Sequence, residues 1–354
     1  MGVPEAEVRE RAALGSERAV AGATIGAVGM AVPERVIENA PIAERLEVDE
    51  SWIVNRTGIE RRHALAVGER LSDLAAAAGR AALERAELDG GDLDLILVGT
   101  TSRDEITPDA APLVAAELGA HGAAAIDIGS ACTAFVSAVA LARGQIETGC
   151  AERVLVIGAD ALFGYLDPDD KRTAGLFGDG AGAVVMGATE PPGRIGTPVL
   201  GADGGQADLV YATRAEGKLR MEGGETFKHA VQRLTAASEQ ALAGAASEID
   251  DIDLFVYHQA NRRILRGVGE RLDLPADRVV DCIANYGNTS AGSIPIALAE
   301  AEADGRLVDG RRLLLGAFGA GFTWGAVVLD WGLDGAAEPA RSAKSDGSSP
   351  ERSD

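Results

Sequence analysis

Three residues of this 354-residue chain sit where their side chains could do chemistry: Cys132, His258 and Asn288. Cys132 lies in "DIGSACTAFVSAV" (127–139), between a short apolar run and a helix-like stretch of small residues. A helix N-terminus presents unpaired N–H groups and the positive end of the dipole. Such a setting is expected to stabilise a thiolate and lower the cysteine pKa. Gly129, Ser130, Ala131, Thr133 and Ala134 would let backbone come close to a substrate, and their N–H groups could hold an oxyanion. Of the four histidines, at 63, 121, 229 and 258, His258 alone ends an apolar strand-like run, in "HQANRR". Asn288 lies between small-residue turns in "NYGNTSAGS". A histidine and an asparagine together can donate hydrogen bonds to a developing enolate. The set suits acyl transfer followed by carbon–carbon bond formation. Taken singly, each residue has a plainer reading: a small core residue, a structural histidine and a turn former.

The surrounding elements decide between those readings, because they repeat. "DLDLILV" (92–98) returns as "DIDLFVY" (251–257), an offset of 159 residues (92 to 251), each after a helix-like stretch, 72–90 and 231–249. "AIDIGSACTAFVSAVALARGQIETG" (125–149) is matched by "VDCIANYGNTSAGSIPIALAEAEADG" (280–305). Strand-like runs follow at 153–159 and 311–317, and glycine-rich turns with strands at 177–187 and 318–331. This duplication of a mixed α/β unit predicts two layered halves packed about a pseudo-twofold axis. Near-continuous apolar runs such as "VLVIGA" read as strands buried on both faces. The expected division is a tail over 1–21, a first half over 22–190 carrying Cys132, a second over 191–332 carrying His258 and Asn288, and a disordered tail over 333–354. The three polar residues then fall in matched loops where the halves meet. "GDGAGAVVMG" lacks the sequel of a phosphate loop and reads as a tight turn before a buried strand. Cys150 and Cys282 have no such setting and read as packing residues.

Composition narrows the class further. The net charge of −22 argues against a nucleic-acid binder. Three cysteines, with no CxxC pair, make a disulfide scaffold or a metal site an unattractive reading, and a reducing cytoplasm fits. No apolar run is long enough for a membrane span.

From about 22 to 331 the chain resembles the thiolase superfamily, and within it the β-ketoacyl-acyl-carrier-protein synthases III. The resemblance is carried by "WIVNRTGIERR" (52–62), "SACTAF" (130–135), "FGDGAGAVV" (177–185), "HQAN" (258–261), "NYGNTSAGSIPIAL" (285–298) and "GAGFTWGA" (319–326). It implies a thiolase-like α/β fold, the duplicated halves forming a layered α-β-α-β-α sandwich. A ping-pong reaction is implied. Cys132 takes an acyl group from acyl-CoA; His258 and Asn288 support decarboxylation of malonyl-carrier protein and stabilise the enolate that attacks the thioester. The backbone N–H groups of Cys132 and Ala320 would form the oxyanion hole, alanine standing where the family usually has glycine. Phe318 would screen the cysteine. Trp52 and Arg56 match CoA-contacting positions, and Lys171, with Arg172 beside it, stands where the family has an arginine stacking on the adenine. Asn261 matches a pantetheine contact.

For an acidic enzyme and an acidic carrier protein, a local cationic rim is needed for docking. Lys228 and Arg263 match the family there, while Arg262 and Arg266 read equally well as a solvated helix face. Thr107 aligns with a position that reaches across a homodimer into the primer pocket. A threonine there predicts a primer longer or bulkier than acetyl. The resemblance calls for no cofactor, since acyl-CoA and malonyl-carrier protein are substrates. Two other readings stay open at this point: an acyltransferase of secondary metabolism without decarboxylation, and a non-catalytic subunit that binds carrier protein.

Overall fold

The computed structural model describes residues 21–333, so the tails expected at the two ends lie, but for one residue each, outside the described residues. Strands β1 (Gly22–Ala31), β2 (Leu95–Gly99), β3 (Ala124–Ile128), β4 (Arg153–Asp160) and β5 (Gly180–Thr189) form a sheet in the order β1-β5-β4-β2-β3. Strands β6 (Val199–Ala202), β7 (Leu254–Tyr257), β8 (Arg312–Gly319) and β9 (Thr323–Asp330) form a second, in the order β7-β8-β9-β6. The pairs β2–β4 and β7–β8 are parallel, and β4–β5 and β8–β9 are antiparallel. The main helices are α1 (Glu50–Thr57), α2 (Leu71–Arg85), α3 (Ala134–Glu147), α4 (Gly223–Gly244), α5 (Arg262–Leu272) and α6 (Ser293–Ala303).

The apolar runs of the strands are explained by burial on both faces. Leu155 and Ile157 of β4 face α2 through Ala75, Ala78 and Ala82. Their neighbours Val154 and Val156 face the opposite way, into a core with Phe135 and Val139 of α3 and Ile294 and Leu298 of α6. That same core takes Leu313 and Leu315 from β8. Leu314, between them, packs outward with Leu234 of α4 and Leu265 and Val268 of α5. Two sheets thus enclose α3 and α6, and further helices cover the outer faces: the five-layer thiolase-like sandwich that the resemblance implied. Helix α6 opens "SIPIALA", apolar all round, as a helix between two sheets must be. A Cβ on Gly158 would lie 2.1 Å from the Ala291 carbonyl oxygen, so this glycine lets the turn before α6 approach the first sheet.

The repeat extends to backbone conformation. Ala131 and Ser290, an offset of 159 (131 to 290), both adopt φ 49° as the first residues of the turns that open α3 and α6. Residues 90–92 and 249–251 are matched 3-10 turns, each with a capping box, Asp89 with Asp92 and Glu248 with Asp251. These turns take the first residues of the runs read as strands from 92 and 251, so β2 and β7 begin three residues later. The halves differ at the counterpart of β3, where Val279 makes a single bridge to Phe255 instead of a strand. There the Gln259 side chain replaces a ladder, donating to the Val280 carbonyl at 3.1 Å and accepting from the Cys282 N–H at 3.1 Å. Helix α4 starts at Gly223, well before 231, across two glycines that argue locally against a helix. Among the described residues no helix is long and apolar enough to cross a membrane. Cys282 is buried as expected, but Cys150 is exposed on the turn after α3. Its N–H donates to the Gln145 carbonyl at 2.8 Å and so closes the end of α3, and its side chain does not pack in the core of this chain.

Candidate active site

Cys132 sits on a 3-10 turn (Ala131–Thr133) that runs into α3, directly after the left-handed Ala131. The turn is tied to the glycine loop after β8. Thr133 Oγ1 donates to the Ser130 carbonyl at 2.6 Å and lies 2.9 Å from Thr323 Oγ1. Gly319 makes the close approach possible: a Cβ there would stand 2.8 Å from the Cys132 backbone nitrogen. The N–H groups of Cys132 and Ala320 both lie close enough to the Cys132 sulfur to favour its thiolate. Ala320 is not among the residues with positive φ, so alanine keeps this N–H without strain; the adjacent Gly321 takes φ 106°.

The tertiary setting opposes the expected fall in the cysteine pKa. Burial pushes the Cys132 thiol up to about 12, and hydrogen bonds from the Ser290 hydroxyl and the two N–H groups offset only part of this. The dipole end is in place, but the sulfur lies at the floor of an apolar pocket, where charge loses its hydration. His258 is 2% exposed, and burial pulls its pKa down to about 3. The resting site therefore pairs a thiol with a neutral imidazole.

His258 follows β7, and its backbone N–H donates to the Gly316 carbonyl at 2.8 Å. Its Nδ1 lies 2.6 Å from Ser293 Oγ, which also accepts the Gln259 N–H at 3.3 Å. This fixes the ring and turns Nε2 to the pocket. The Phe318 ring packs 5.7 Å from the imidazole, centre to centre. Asn288 is buried, and its Oδ1 accepts the Ser290 N–H at 2.9 Å. The amide is thereby oriented with its Nδ2 donors available. Its backbone bridges to Phe177: the Asn288 N–H donates to the Leu176 carbonyl and the Gly178 N–H to the Asn288 carbonyl, both at 3.0 Å.

One pocket of about 400 Å³ brings together Cys132, His258, Asn288, Phe318 and Ala320 at its floor. Trp52, Arg56, Lys171, Asn261 and Arg263 line the same pocket, and Leu176, Phe177 and Met221 give it an apolar wall. The Arg56 guanidinium lies 4.2 Å over the Trp52 ring. Arg56, Lys171 and Arg263 make no ion pair among the described residues, whereas Arg172 pairs with Glu222 at 2.6 Å. Asn261 caps α5 through the Arg263 N–H at 2.9 Å and donates to the Arg56 carbonyl at 3.0 Å, which joins α5 to α1. Two expected residues lie elsewhere. Lys228 is exposed on α4, 3.7 Å from Glu225. Thr107 is exposed on the loop after β2, outside the pocket of its own chain. Arg262 pairs with Asp281 at 2.7 Å and Arg266 with Glu270 at 3.8 Å, as for a solvated helix face.

Sequence reading passed over Ser293 and Ser290, although both stand in "NTSAGS", three residues apart and so on one face of the turn that opens α6. It also passed over Asp160, fully buried at the end of β4. Nothing in "GADALFG" marks that aspartate as functional.

Comparison with known proteins agrees with this geometry. Residues 126–204 match the domain described as 3-oxoacyl-(acyl-carrier-protein) synthase III, and residues 242–331 match the C-terminal domain of the same enzymes. Residues 53–163 match the N-terminal domain of thiolase. The chain is 44% identical over 327 residues to β-ketoacyl-(acyl-carrier-protein) synthase III 2 of Streptomyces coelicolor, covering 92% of this chain and 98% of the relative. It is 44% identical over 314 residues to the synthase III of Rhizobium meliloti, covering 86% and 97%. The crystal structure of 3-oxoacyl-(acyl-carrier-protein) synthase III from Aquifex aeolicus superposes with a TM-score of 0.84 at 39% identity, covering 87% of this chain and all of that one. With a duplicated thiolase-like sandwich, one pocket holding thiol, imidazole and amide, and relatives matched over nearly their whole length, this chain belongs to the β-ketoacyl-acyl-carrier-protein synthase III family of condensing acyltransferases.

Proposed function

We propose that this enzyme starts acyl chains by decarboxylative condensation of an acyl-CoA primer with malonyl-carrier protein through an acyl-Cys132 intermediate. The observation that carries this reading is the shared pocket floor, where Cys132, His258, Asn288 and the Ala320 N–H converge. In the first half-reaction the Cys132 thiol gives its proton to His258 Nε2 as sulfur attacks the acyl carbonyl. The tetrahedral oxyanion falls to the N–H groups of Cys132 and Ala320. CoA leaves as thiolate and takes the proton from His258. In the second, the bond between the malonyl α-carbon and its carboxylate breaks, carbon dioxide departs, and the electron pair of that bond passes into an enolate held by His258 Nε2–H and Asn288 Nδ2–H. The enolate carbon attacks the thioester carbonyl, the bond to Cys132 sulfur breaks with its electron pair on sulfur, and the departing thiolate takes up one proton from solvent.

His258 Nε2 is an acceptor in the first half and a donor in the second, so between the two halves the neutral ring gives up its Nδ1 proton and gains one at Nε2 by exchange with solvent. The Ser293 hydroxyl serves both, accepting from Nδ1–H or donating to Nδ1 across the same 2.6 Å. At the mouth, the unpaired charges of Arg56, Lys171 and Arg263 suit the CoA phosphates and the carrier's phosphopantetheine, with Trp52 and Asn261 beside them. Lys228 and Arg263 form the carrier-protein rim. The proposed chemistry is complete with thiol, imidazole and amide, and calls for no metal or cofactor.

The division into halves at about residue 190 and a homodimer belong to the same reading. Strand β3 is the last in its sheet, with Ile126 exposed on it and Leu141 of α3 beside it. Such an edge needs cover. Pairing with a second copy supplies it and carries Thr107 toward the partner's pocket, where it leaves room for a primer bulkier than acetyl. Three unpaired cysteines and these substrates fit a cytoplasmic enzyme.

Intact-protein mass after incubation with a panel of acyl-CoAs tests the reading. The expected result is an adduct mapped to Cys132, greatest with chains beyond acetyl, and discharged by malonyl-carrier protein with release of carbon dioxide. An adduct discharged onto an alcohol or amine without carbon dioxide would replace it with plain acyl transfer. Sedimentation of the Ile126→Lys variant as a monomer, beside a dimeric unaltered enzyme, is expected for the β3 interface.

A further inference from the structure

We propose that Ser290 is a further catalytic residue, its hydroxyl hydrogen-bonding the Cys132 sulfur and carrying thiolate charge whenever that sulfur attacks or leaves. This rests on Cys132 being the nucleophile. Ser290 Oγ donates to Cys132 Sγ at 3.3 Å, across 158 residues and between the two halves of the repeat. Ser290 is buried, 1% exposed, while the cysteine at the other end of the contact opens to the pocket.

The turn carrying this hydroxyl is held from both sides. The Ser290 N–H is taken by Asn288 Oδ1 at 2.9 Å, and the Ala291 N–H points to Asp160 Oδ2 at 3.3 Å. Asp160 is itself a fixed anchor. Its Oδ1 accepts from Thr100 Oγ1 at 3.1 Å, the Thr101 N–H at 2.9 Å, Thr101 Oγ1 at 3.2 Å and Ser102 Oγ at 2.7 Å. The same carboxylate disfavours a second negative charge on the sulfur, and burial disfavours it more. Neutral His258 supplies no positive charge at rest. The groups that favour the thiolate are hydrogen bonds: the Ser290 hydroxyl first, then the N–H groups of Cys132 and Ala320. Once a tetrahedral intermediate forms, those two N–H groups are engaged by the carbonyl oxygen. Ser290 is then the donor left to the sulfur, which is when the sulfur must depart with a negative charge.

The repeat shows that removing the hydroxyl is conformationally safe. At the matched position the chain already has an alanine, Ala131, at the same φ of 49°. The test is the rate of Cys132 alkylation by iodoacetamide between pH 6 and 9, with the adduct mapped by mass, in the unaltered enzyme, Ser290→Ala and Ser290→Thr. A hydrogen bond to a charged sulfur is expected to shift the thiol by about one pH unit. Ser290→Ala should therefore react about tenfold more slowly at every pH, and acylation by acyl-CoA should slow in parallel. Ser290→Thr, which keeps the hydroxyl, should recover to within about threefold. Alkylation of Ser290→Ala at the unaltered rate overturns the proposal, and so does a slow Ser290→Ala that Ser290→Thr fails to restore. An acyl adduct mapping away from Cys132 in the unaltered enzyme removes its premise, and shows this before any rate is compared.

Discussion

Replacing Gly319 by alanine should disable acylation while sparing substrate binding. The added Cβ would stand 2.8 Å from the Cys132 backbone nitrogen, 3.1 Å from its Cβ and 3.3 Å from its Cα. None of these is the flexible end of a side chain, so backbone must move. Ordinary contact begins at 3.4 Å, so the two segments part by about 0.6 Å. The Ala320 N–H travels with Gly319, while the Cys132 N–H stays with its turn. A donor placed about 2.9 Å from an oxyanion is then near 3.5 Å, outside useful hydrogen-bonding range. Loss of one oxyanion donor costs about a hundred- to a thousandfold in rate, roughly 2.7–4 kcal/mol. The pocket mouth is carried by α1 and α5 rather than by the Gly319 segment, so substrate binding is expected to change little. Rapid-quench acylation followed by intact mass should show the first-order acylation constant falling about a hundredfold, with half-saturation by acyl-CoA changed less than about threefold. A thermal melt on the same sample reports whether the fold is kept. A folded Gly319→Ala enzyme that acylates within about threefold of the unaltered rate would refute the assignment of Ala320 to the oxyanion hole.

Other perturbations probe the mouth, the carrier rim and the buried histidine. Lys171→Arg should lower the half-saturating acyl-CoA concentration roughly two- to fivefold, since a guanidinium stacks on a planar ring better than an ammonium; an unchanged or higher value would place the adenine elsewhere. Arg263→Glu should slow condensation with malonyl-carrier protein about tenfold at low salt, and less in high salt, while leaving acylation by small thioesters intact. Equal loss in both half-reactions would count against carrier docking. His258 has its pKa pulled from about 6.5 to about 3, so between those values the unfolded chain binds a proton that the folded chain does not. Stability conferred by neutral burial is present above pH 6.5 and is lost as pH falls towards 3, by up to about 1.4 kcal/mol per unit. Urea midpoints at pH 7, 6 and 5 should therefore fall more steeply in the unaltered enzyme than in His258→Gln; parallel slopes would contradict the neutral, buried imidazole.

Much of this molecule could be read from residue order because the information is local and repeated. Apolar runs of five to eight residues specify strands buried on both faces, and their return at an offset of 159 residues (92 to 251) specifies two like halves. The matched loops then single out Cys132, His258 and Asn288. Other features were not legible. Helix α4 extends through Gly223 and Gly224, which propensity alone would leave out, and these exposed glycines line the pocket rim. Gln259 gave no local sign that its side chain would stand in for a strand ladder.

Local sequence determined where the thiol, imidazole and amide stand on their elements, since each follows from a strand end or a helix start within a few residues. It did not determine their ionisation or their partners. A helix N-terminus predicts a low thiol pKa, yet the thiol is raised, because desolvation sums over every neighbour and those neighbours come from both sheets. The link from Ser290 to Cys132, the Asp160 anchor behind it and the Ser293 contact to His258 all join segments distant in sequence. Hydrogen bonds of that kind depend on ångström-scale distances between packed elements, and those distances are decided when the two halves close on α3 and α6.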